Sequence, residues 1–347
     1  MNTSRLADTV GALMADGRGL IAMDESTPTC NKRFAALGIA QTEPMRRAWR
    51  DLIVTTPELG RSISGAILFD ETIRQHTLAD VPFAQALEAA GIVPGIKVDG
   101  GAKPLAGFAG EQVTEGLDGL RERLADYAAM GARFAKWRAV IRIEGELPSR
   151  GCLAANAHAL ARYAALCQEA GIVPMVEPEV LMEGSHTLAQ CASVTEATLV
   201  AVFTELRAQR VALDGIVLKP NMVLPGVDCP EQSDADTVAD ATVGCFLRTV
   251  PAAVGGIAFL SGGQSAVLAS ARLNAMNLRF ASRLPWPLTF SFSRAIQQPA
   301  LDLWRGEAAN LPAAQRALRH RAECNRAARL GRYDAALDAP GPLAANP

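Results

Sequence analysis

The stretch QEAGIVPMVEP at residues 168–178 ends a helical pattern with a glycine and continues directly into a short apolar run. The same order of helix, glycine and apolar run occurs in EAAGIVPGIKV at 88–98 and in AAMGARFAKWRAV at 128–140. Glycine is favoured directly after a helix because it enters the left-handed backbone region without the steric cost of a Cβ atom. The pattern recurs every 40 residues, at Gly91, Gly131 and Gly171.

A repeat near 40 residues is also typical of HEAT arrays and propeller blades. Each unit here combines one short apolar strand with one long helix, which excludes both architectures. Serial units of this kind indicate a parallel sheet. Eight apolar runs fit its strands, at residues 19–24, 65–70, 92–98, 133–140, 172–178, 215–219, 256–261 and 287–292. We therefore predict an α/β fold, a single TIM (β/α)8 barrel with additional N- and C-terminal helices.

The predicted barrel is one catalytic domain over residues 1–335. One of its helices is expected from 113 to 131, because apolar residues recur there at spacings of 3 and 4. These residues are Val113, Leu117, Leu120, Leu124 and Tyr127. The segment 336–347 is rich in alanine, proline and glycine, and we expect it to be a mobile tail.

Composition narrows the classes of partner. The chain carries 34 Lys and Arg against 36 Asp and Glu, a formal net charge of −2. This balance provides no extended basic surface for nucleic acid or an anionic membrane, so we expect neither partner. No apolar run approaches the ~18 residues of a membrane span. The start MNTSRLADTV also lacks the apolar core of a signal peptide, so the expected location is the cytoplasm.

Cysteine and histidine spacing argues against a metal site. The 7 cysteines are widely spaced without a CxxC pair, which predicts free, mostly buried thiols in a reducing compartment. The 4 histidines form no HxH or HxxH pair, so we expect no metal ligands and no metal cofactor. No GxSxG sequence is present to support a serine nucleophile.

Polar side chains stand at the C-terminal ends of the predicted strands, where this fold places its active site. They are Asp24, Lys97, Asp99, Lys136, Arg138, Glu177, Glu179, Lys219 and Ser261. Residues two apart on a strand face the same side, so Lys136 with Arg138, and Glu177 with Glu179, should converge. A salt bridge inside the barrel would be enough to explain any single one of these residues. Burying all of them is too costly without a function.

A lysine in this setting suits carbonyl chemistry. Neighbouring cations such as Lys136 and Arg138 disfavour its ammonium form, and the neutral amine is the nucleophile that forms a Schiff base. An adjacent carboxyl group moves the protons that dehydrate the carbinolamine. The resulting iminium accepts the electron pair of a breaking carbon–carbon bond.

The sequence SGG at 261–263 follows the seventh predicted strand, and Arg294 follows the eighth. Alone, SGG fits a plain turn equally well. Loops after strands seven and eight are, however, the usual phosphate site of this barrel, and arginine offers a planar charged fork. We therefore expect an anion to bind between Gly262 and Arg294.

Seven segments together resemble class I fructose-bisphosphate aldolase, the metal-free type, over about residues 5–335. They are LIAMDEST (20–27), GIKVD (95–99), FAKWRAV (134–140), VEPEVL (176–181), VLKPNMV (217–223), LSGGQS (260–265) and TFSFSRAIQ (289–297). The resemblance implies reversible cleavage of fructose 1,6-bisphosphate to dihydroxyacetone phosphate and glyceraldehyde 3-phosphate. It also implies a homotetramer.

The resemblance assigns catalytic roles to individual residues. Lys219 matches the Schiff-base lysine and Glu177 the general acid/base of imine formation. Glu179 matches a carboxylate that supports the lysines electrostatically. Asp24 matches the carboxylate that takes the C4-hydroxyl proton.

The remaining assignments concern substrate binding. Lys136 and Arg138 match cations that position the substrate and tune the Schiff-base lysine. The C1-phosphate site corresponds to Ser261, Gly262, Arg294 and the backbone of Ser293. The C6-phosphate site corresponds to Ser26, Thr29 and Lys97, with Lys32 and Arg33 as outer contributors.

The chain departs from the family pattern in three places. Animal and plant members end in a tyrosine that assists proton exchange, but this chain ends LAANP, and Tyr333 lies too far upstream. We expect another group or water to serve that step. Ser293 stands where a glycine is common, which narrows the approach to the phosphate. Pro28 and Thr29 replace glycine and serine, which could alter the preference between bisphosphate and monophosphate sugars.

Two other functions remain open at this point. One is a different lysine-dependent barrel aldolase acting on another sugar phosphate or a ketoacid, which would share the imine chemistry but not all seven segments. The other is a non-catalytic barrel that serves as a binding scaffold. Such a barrel should have lost a catalytic group, and only the terminal tyrosine is missing. The histidine spacing disfavours a zinc-dependent aldolase.

Overall fold

The computed structural model describes residues 3–338. Its strands are β1 Gly19–Ala22, β2 Ile63–Leu68, β3 Val93–Lys97, β4 Ala102–Pro104, β5 Gln112–Thr114, β6 Phe134–Ile141, β7 Val173–Val180, β8 Val217–Leu218, β9 Ile257–Phe259 and β10 Leu288–Phe292. Eight of them run parallel and close into a barrel in the order β1, β10, β9, β8, β7, β6, β3, β2. The strands β4 and β5 pair antiparallel as a separate hairpin. The predicted fold class is confirmed.

Helices follow the strands along the chain. Within the described residues they are α1 Thr3–Met14, α2 Thr27–Ala35, α3 Glu43–Val54, α4 Asp70–Ile73, α5 Phe83–Ala89, α6 Leu120–Ala129, α7 Arg150–Glu169, α8 Leu188–Ala208, α9 Ala235–Thr249, α10 Ala266–Phe280, α11 Arg294–Trp304 and α12 Leu311–Arg329. Neighbours in this series pack side by side, as α7 does against α8 and α11 against α12. No helix of residues 3–338 is long and apolar enough to cross a membrane.

Helix α1 covers one end of the barrel. Its apolar face, which includes Leu6 and Leu13, joins a buried cluster with Leu20, Phe134 and Val173. Those three residues lie near the N-terminal ends of β1, β6 and β7, so α1 closes the N-terminal end. Functional side chains are therefore left to the opposite, C-terminal end, as in other barrels of this type.

All eight predicted strands are present, with shifted ends. Strand β2 begins and ends two residues earlier than predicted, and β8 shrinks to two residues because the chain before it forms a 3-10 turn at Leu213–Gly215. The helix-ending glycines Gly91, Gly131 and Gly171 all have positive φ, at 71°, 101° and 70°. The glycine signal was therefore interpreted correctly.

The predicted helix over 113–131 is wrong in its first half. Val113 belongs to β5, and α6 begins only at Leu120. Gly116 and Gly119 adopt φ values of 122° and 64°, which interrupt a helix between these points. The apolar spacing continued across the break although Val113 lies in the β4–β5 hairpin and only Leu120 belongs to the buried core.

The C-terminal end is described only in part. Residues Ala335–Asp338 form a 3-10 turn, so the first positions of the predicted tail, 336–347, are ordered into that turn. The remainder, 339–347, lies outside the described residues, and so does the prediction about the terminal tyrosine, which concerns the last of them. All 7 cysteines are free and buried, which confirms the predicted thiols.

Candidate active site

A cavity of about 170 Å³ lies at the C-terminal ends of the barrel strands. Ten residues predicted for the site line it: Asp24, Lys136, Arg138, Glu177, Glu179, Lys219, Ser261, Gly262, Ser293 and Arg294. They come from six separate strands or the segments just after them, so only closure of the barrel brings them together. The convergence predicted from strand-end positions is therefore present for seven of the nine residues, whereas Lys97 and Asp99 do not line the cavity.

A chain of ion pairs runs through the centre of the cavity. The Lys219 Nζ lies 3.0 Å from Glu177 Oε1, and the other oxygen of this carboxylate lies 3.4 Å from Lys136 Nζ. The Lys136 Nζ in turn lies 2.7 Å from Asp24 Oδ2. Glu177 is thus shared between two lysines, and Lys136 bridges two carboxylates. The four side chains form one continuous series of ion pairs.

These side chains are buried, with exposed fractions of 3% for Lys219 and Glu177 and 4% for Lys136. Burial alone would raise the pKa of Glu177, but the adjacent Lys136, Lys219 and Arg138 outweigh it and lower the pKa. Burial likewise opposes the charged form of Lys136, yet Asp24, Glu177 and Asp99 raise its pKa. Each charge is therefore paired with an opposite charge within the cluster, which offsets the free-energy cost of burying it.

Arg138 and Glu179 form a second pair at the edge of the cavity. The Arg138 Nε donates to Glu179 Oε2 at 2.5 Å. Burial works against the guanidinium, but Glu179 and Glu177 raise the pKa of Arg138. The direct partner of Glu179 is therefore an arginine, whereas the resemblance implied that Glu179 supports the lysines.

The loop after β9 has the geometry expected of an anion site. Gly262 and Gly263 have φ values of 58° and 94°, a left-handed stretch that glycine adopts freely. Side-chain nitrogens of Arg294 approach this loop, since a Cβ built on Gly263 would lie 3.3 Å from the guanidinium. Arg294 forms no ion pair with any residue of the described range, and it is exposed. The loop also leads into the N-terminus of α10, a further attraction for an anion.

The residues predicted for the second phosphate do not line this cavity. The Lys97 Nζ is bound to Asp99 Oδ1 at 2.5 Å. The Ser26 and Thr29 hydroxyls lie 3.0 Å apart at the start of α2 and hydrogen-bond each other. The interpretation of Arg33 as an outer phosphate ligand is not supported, because its guanidinium pairs with Glu25 Oε1 at 2.6 Å.

Sequence reasoning missed the role of Glu25. Its carboxylate binds Arg33 and Arg50, accepts a hydrogen bond from Ser293 Oγ, and is bound by Gln297 Nε2. We call these five residues the Glu25 cluster. A signal was available, since a carboxylate next to a buried strand end needs charged or hydrogen-bonding partners. The partners could not be named because they come from α2, α3 and α11.

One group of side chains in the described range has donor atoms close enough to share a metal ion. It consists of His320, Cys324 and Asp338. None of the three lines the active-site cavity, and the Asp338 carboxylate is already bound by Arg321 and Tyr333. The charged side chains at the barrel mouth itself are two lysines, two arginines and three carboxylates, and each carboxylate is paired with a lysine or with Arg138.

The closed barrel and the buried lysines at its C-terminal end define an enzyme suited to lysine-based carbonyl chemistry. The family model for fructose-bisphosphate aldolase class-I matches residues 5–341. The chain belongs to this family, whose class I members are lyases that act through a Schiff base. The resemblance identified from the seven segments is thereby confirmed.

Individual relatives agree along nearly the whole chain. It is 56% identical over 334 residues to a protein named probable fructose-bisphosphate aldolase class 1 from Xanthomonas axonopodis pv. citri, covering 96% of this chain and 99% of the other. It is 46% identical to fructose-bisphosphate aldolase of Dictyostelium discoideum, covering 95% and 94%. A crystal structure of fructose-bisphosphate aldolase from Plasmodium falciparum, in complex with TRAP and an inhibitor, superposes with a TM-score of 0.93 at 44% identity, covering 95% of each chain.

Proposed function

We propose that this chain cleaves fructose 1,6-bisphosphate reversibly to dihydroxyacetone phosphate and glyceraldehyde 3-phosphate through an imine on Lys219. The observation that carries this proposal is the buried Lys219 amine, 3.0 Å from Glu177 in a cavity lined by further cations. Family membership supports the substrate, and the anion geometry around Gly262 and Arg294 supports a phosphate on it.

Imine formation requires a series of proton movements that Glu177 is placed to serve. As the carboxylate nearest to Lys219, it first accepts the ammonium proton and frees the amine. The amine attacks the C2 carbonyl of the open-chain sugar, and Glu177 gives a proton to the resulting alkoxide and takes one from the attached nitrogen, which leaves the neutral carbinolamine. Glu177 then returns a proton to the carbinolamine hydroxyl, which leaves as water. The product is a protonated iminium between Lys219 and C2.

Carbon–carbon cleavage falls to Asp24. Its carboxylate removes the C4-hydroxyl proton, the C3–C4 electrons move into the iminium, and glyceraldehyde 3-phosphate departs. The Lys136 ammonium, 2.7 Å from Asp24, holds that carboxylate in place. The enamine that remains is protonated at C3, and hydrolysis releases dihydroxyacetone phosphate and regenerates Lys219.

One substrate phosphate is held inside the cavity and the other outside it, at residues that do not line the cavity. Ser261, Gly262, the Ser293 backbone and Arg294 bind the C1-phosphate, and Arg138 orients the sugar beside Glu179. Ser26, Thr29 and Lys97 contact the C6-phosphate once substrate displaces Asp99 from Lys97. Pro28 and Thr29 restrict the backbone at the C6-phosphate site. The ratio of kcat/KM for fructose 1,6-bisphosphate to kcat/KM for fructose 1-phosphate should therefore be smaller than in family members that have glycine and serine at these positions.

No metal enters this mechanism, since the lysine imine supplies the electron sink that a zinc ion supplies in other aldolases. Chelators should therefore leave activity unchanged. We also place the protein in the cytoplasm as a homotetramer with no nucleic-acid or membrane partner. The 7 free buried cysteines support a reducing compartment, and family membership supports the tetramer.

The test compares two lysine variants. Lys219→Met should abolish cleavage of fructose 1,6-bisphosphate, whereas Lys103→Met, which changes an exposed lysine on β4, should retain it. A different sugar phosphate or ketoacid turned over faster than fructose 1,6-bisphosphate would favour the alternative Schiff-base aldolase. Substrate binding without turnover by the unmodified protein would favour the non-catalytic scaffold.

A further inference from the structure

The Glu25 cluster connects the chain segment that carries Asp24 with the segment that carries Arg294. Glu25 directly follows Asp24, the predicted proton acceptor, and Ser293 directly precedes Arg294, the predicted phosphate ligand. The Ser293 Oγ and Glu25 Oε1 lie 2.7 Å apart. One hydrogen bond therefore joins Glu25 to Ser293, the residues adjacent in sequence to Asp24 and Arg294.

The direction of this hydrogen bond is fixed by charge. The Glu25 side chain is only 8% exposed. Burial raises its pKa, but Arg50, Arg33 and the Ser293 hydroxyl overcome this and lower the pKa to about 2. At neutral pH Glu25 is therefore a carboxylate, which only accepts, and the Ser293 hydroxyl must donate its single proton to it. That hydroxyl has no proton left to offer a bound phosphate.

The strands bring this contact about. Strands β1 and β10 are adjacent in the barrel, with Ile21 opposite Phe292, so the chain after β1 meets the chain after β10. Ser293 has φ −104°, which any L-residue adopts, so its Cβ is accommodated without left-handed strain. Gln297 adds a second tie between these segments, since its Nε2 donates to Ala22 O at 2.6 Å and to Glu25 at 3.0 Å.

The Glu25 carboxylate is itself bound by two arginines. The Arg50 guanidinium donates to Glu25 Oε2 at 2.7 Å and to the Glu25 carbonyl at 3.1 Å, and Arg33 donates to Oε1. Both arginines come from helices outside the barrel, α2 and α3. The cluster thus ties the chain after β1 to α2 and α3, and Ser293 attaches the start of α11 to it.

We propose that Ser293 is a positioning residue which, by binding Glu25, fixes Arg294 and the first turn of α11 for phosphate capture. This proposal rests on the assignment of Arg294 to the C1-phosphate. It extends that assignment, because a serine at a position where the family commonly has glycine gains a specific task in this chain. The hydroxyl, absent from glycine, limits the motion of the segment that carries the phosphate ligand.

The effect should appear in phosphate affinity. Loss of one hydrogen bond to a charged acceptor weakens an interaction by roughly tenfold. Ser293→Ala should therefore raise the dissociation constant for inorganic phosphate, and KM for fructose 1,6-bisphosphate, about tenfold, with a smaller fall in kcat. Ser293→Thr restores the hydroxyl and should recover most of the affinity, while Ser282→Ala, at an exposed serine, serves as the matched control.

A double-mutant cycle separates positioning from a general loss of structure. If Ser293 acts through Arg294, then Ser293→Ala should weaken phosphate binding by less than about twofold in an Arg294→Ala background. Equal effects in both backgrounds would overturn the proposal, as would an unchanged affinity of Ser293→Ala. Ser293→Gly should match Ser293→Ala. If the glycine variant instead binds like the unmodified protein, the Cβ and not the hydroxyl matters, and the proposal fails.

The proposed function can fail separately from this inference. Phosphate affinity is measured on the free protein by calorimetry and does not require an imine. Absence of a Lys219 adduct in the unmodified protein would refute the catalytic proposal even if the mutant cycle holds. A normal adduct with a failed cycle would refute only the role of Ser293.

Discussion

The Glu177 carboxylate forms ion pairs with two lysines at once, Lys219 and Lys136. Its oxygens lie 3.0 Å from Lys219 Nζ and 3.4 Å from Lys136 Nζ, and within residues 3–338 no other carboxylate lies as close to Lys219. Proton transfer at Lys219 therefore alters the charge next to Lys136, which in turn contacts Asp24. In the proposed mechanism, imine formation and bond cleavage are therefore electrostatically linked through these side chains.

Glu177→Gln tests this link. The amide keeps the shape of the side chain but neither transfers protons nor compensates the two ammonium groups, so kcat should fall by roughly 10²–10⁴. The fall should appear in single-turnover imine formation as well as in steady-state cleavage. Glu88→Gln, at an exposed position on α5, should leave both rates as they are. A kcat within about threefold of the original would contradict the assignment.

The sequence allowed most of the central residues to be predicted because each stands at a strand end with a typical local motif. It did not allow their partners to be predicted. Glu179 pairs with Arg138, and Arg33 pairs with Glu25, because side-chain reach and strand register decide between several cations of equal charge. Pairing among like groups is a property of the folded geometry.

At the scale of single elements, the barrel interior depends on glycines that face aromatic rings. A Cβ built on Gly95 in β3 would overlap the ring of Phe134 in β6, the adjacent strand. Phe134 is fully buried and belongs to the cluster that α1 covers. Gly95 is therefore a packing requirement of this strand pair and not a turn signal.

Gly95→Ala should overpack the barrel and lower the free energy of unfolding by about 1–3 kcal/mol. Gly11→Ala is the matched control, since this glycine lies exposed within α1 and a Cβ there meets nothing within 4 Å. The control should stabilise by up to about 1 kcal/mol, because alanine is the better helix former. Urea unfolding of both variants checks this. Equal stability of Gly95→Ala and the original chain would show that Phe134 rearranges freely.

Elements were predicted well where glycine and apolar runs coincide, and poorly where spacing alone was used. The eight barrel strands follow from runs such as 172–178, but the β4–β5 hairpin was missed. Its strands are three residues long and carry mixed residues, so no run marks them. The apolar spacing over 113–131 spanned a strand, a loop and a helix.

At the scale of the whole molecule, a net charge of −2 conceals a concentration of paired charges at one end of the barrel. The folded chain buries these pairs among strands that are otherwise apolar. Their contribution to stability must therefore depend on pH, and Glu25 shows this most clearly because its pKa is about 2.

Acid should remove the stabilisation that Glu25 provides. Its pKa falls from 4.5 to about 2 on folding, so the ionised carboxylate stabilises the fold above pH 4.5 and this contribution is lost as pH falls toward 2. The full contribution is about 3 kcal/mol, of which about 2 kcal/mol is lost between pH 7 and pH 3. Urea unfolding at both pH values should show this extra loss in the original chain relative to Glu25→Gln. Parallel losses in the two proteins would contradict it.

The most direct test of the central claim is borohydride trapping with dihydroxyacetone phosphate in the presence of EDTA, followed by peptide mapping. The chain has only five lysines, at positions 32, 97, 103, 136 and 219, so the modified residue is identified without ambiguity. We predict a single reduced adduct on Lys219, formed despite the chelator. An adduct on Lys136 or Lys97 instead, or bound substrate with no adduct at all, would contradict the assignment of Lys219 as the Schiff-base lysine.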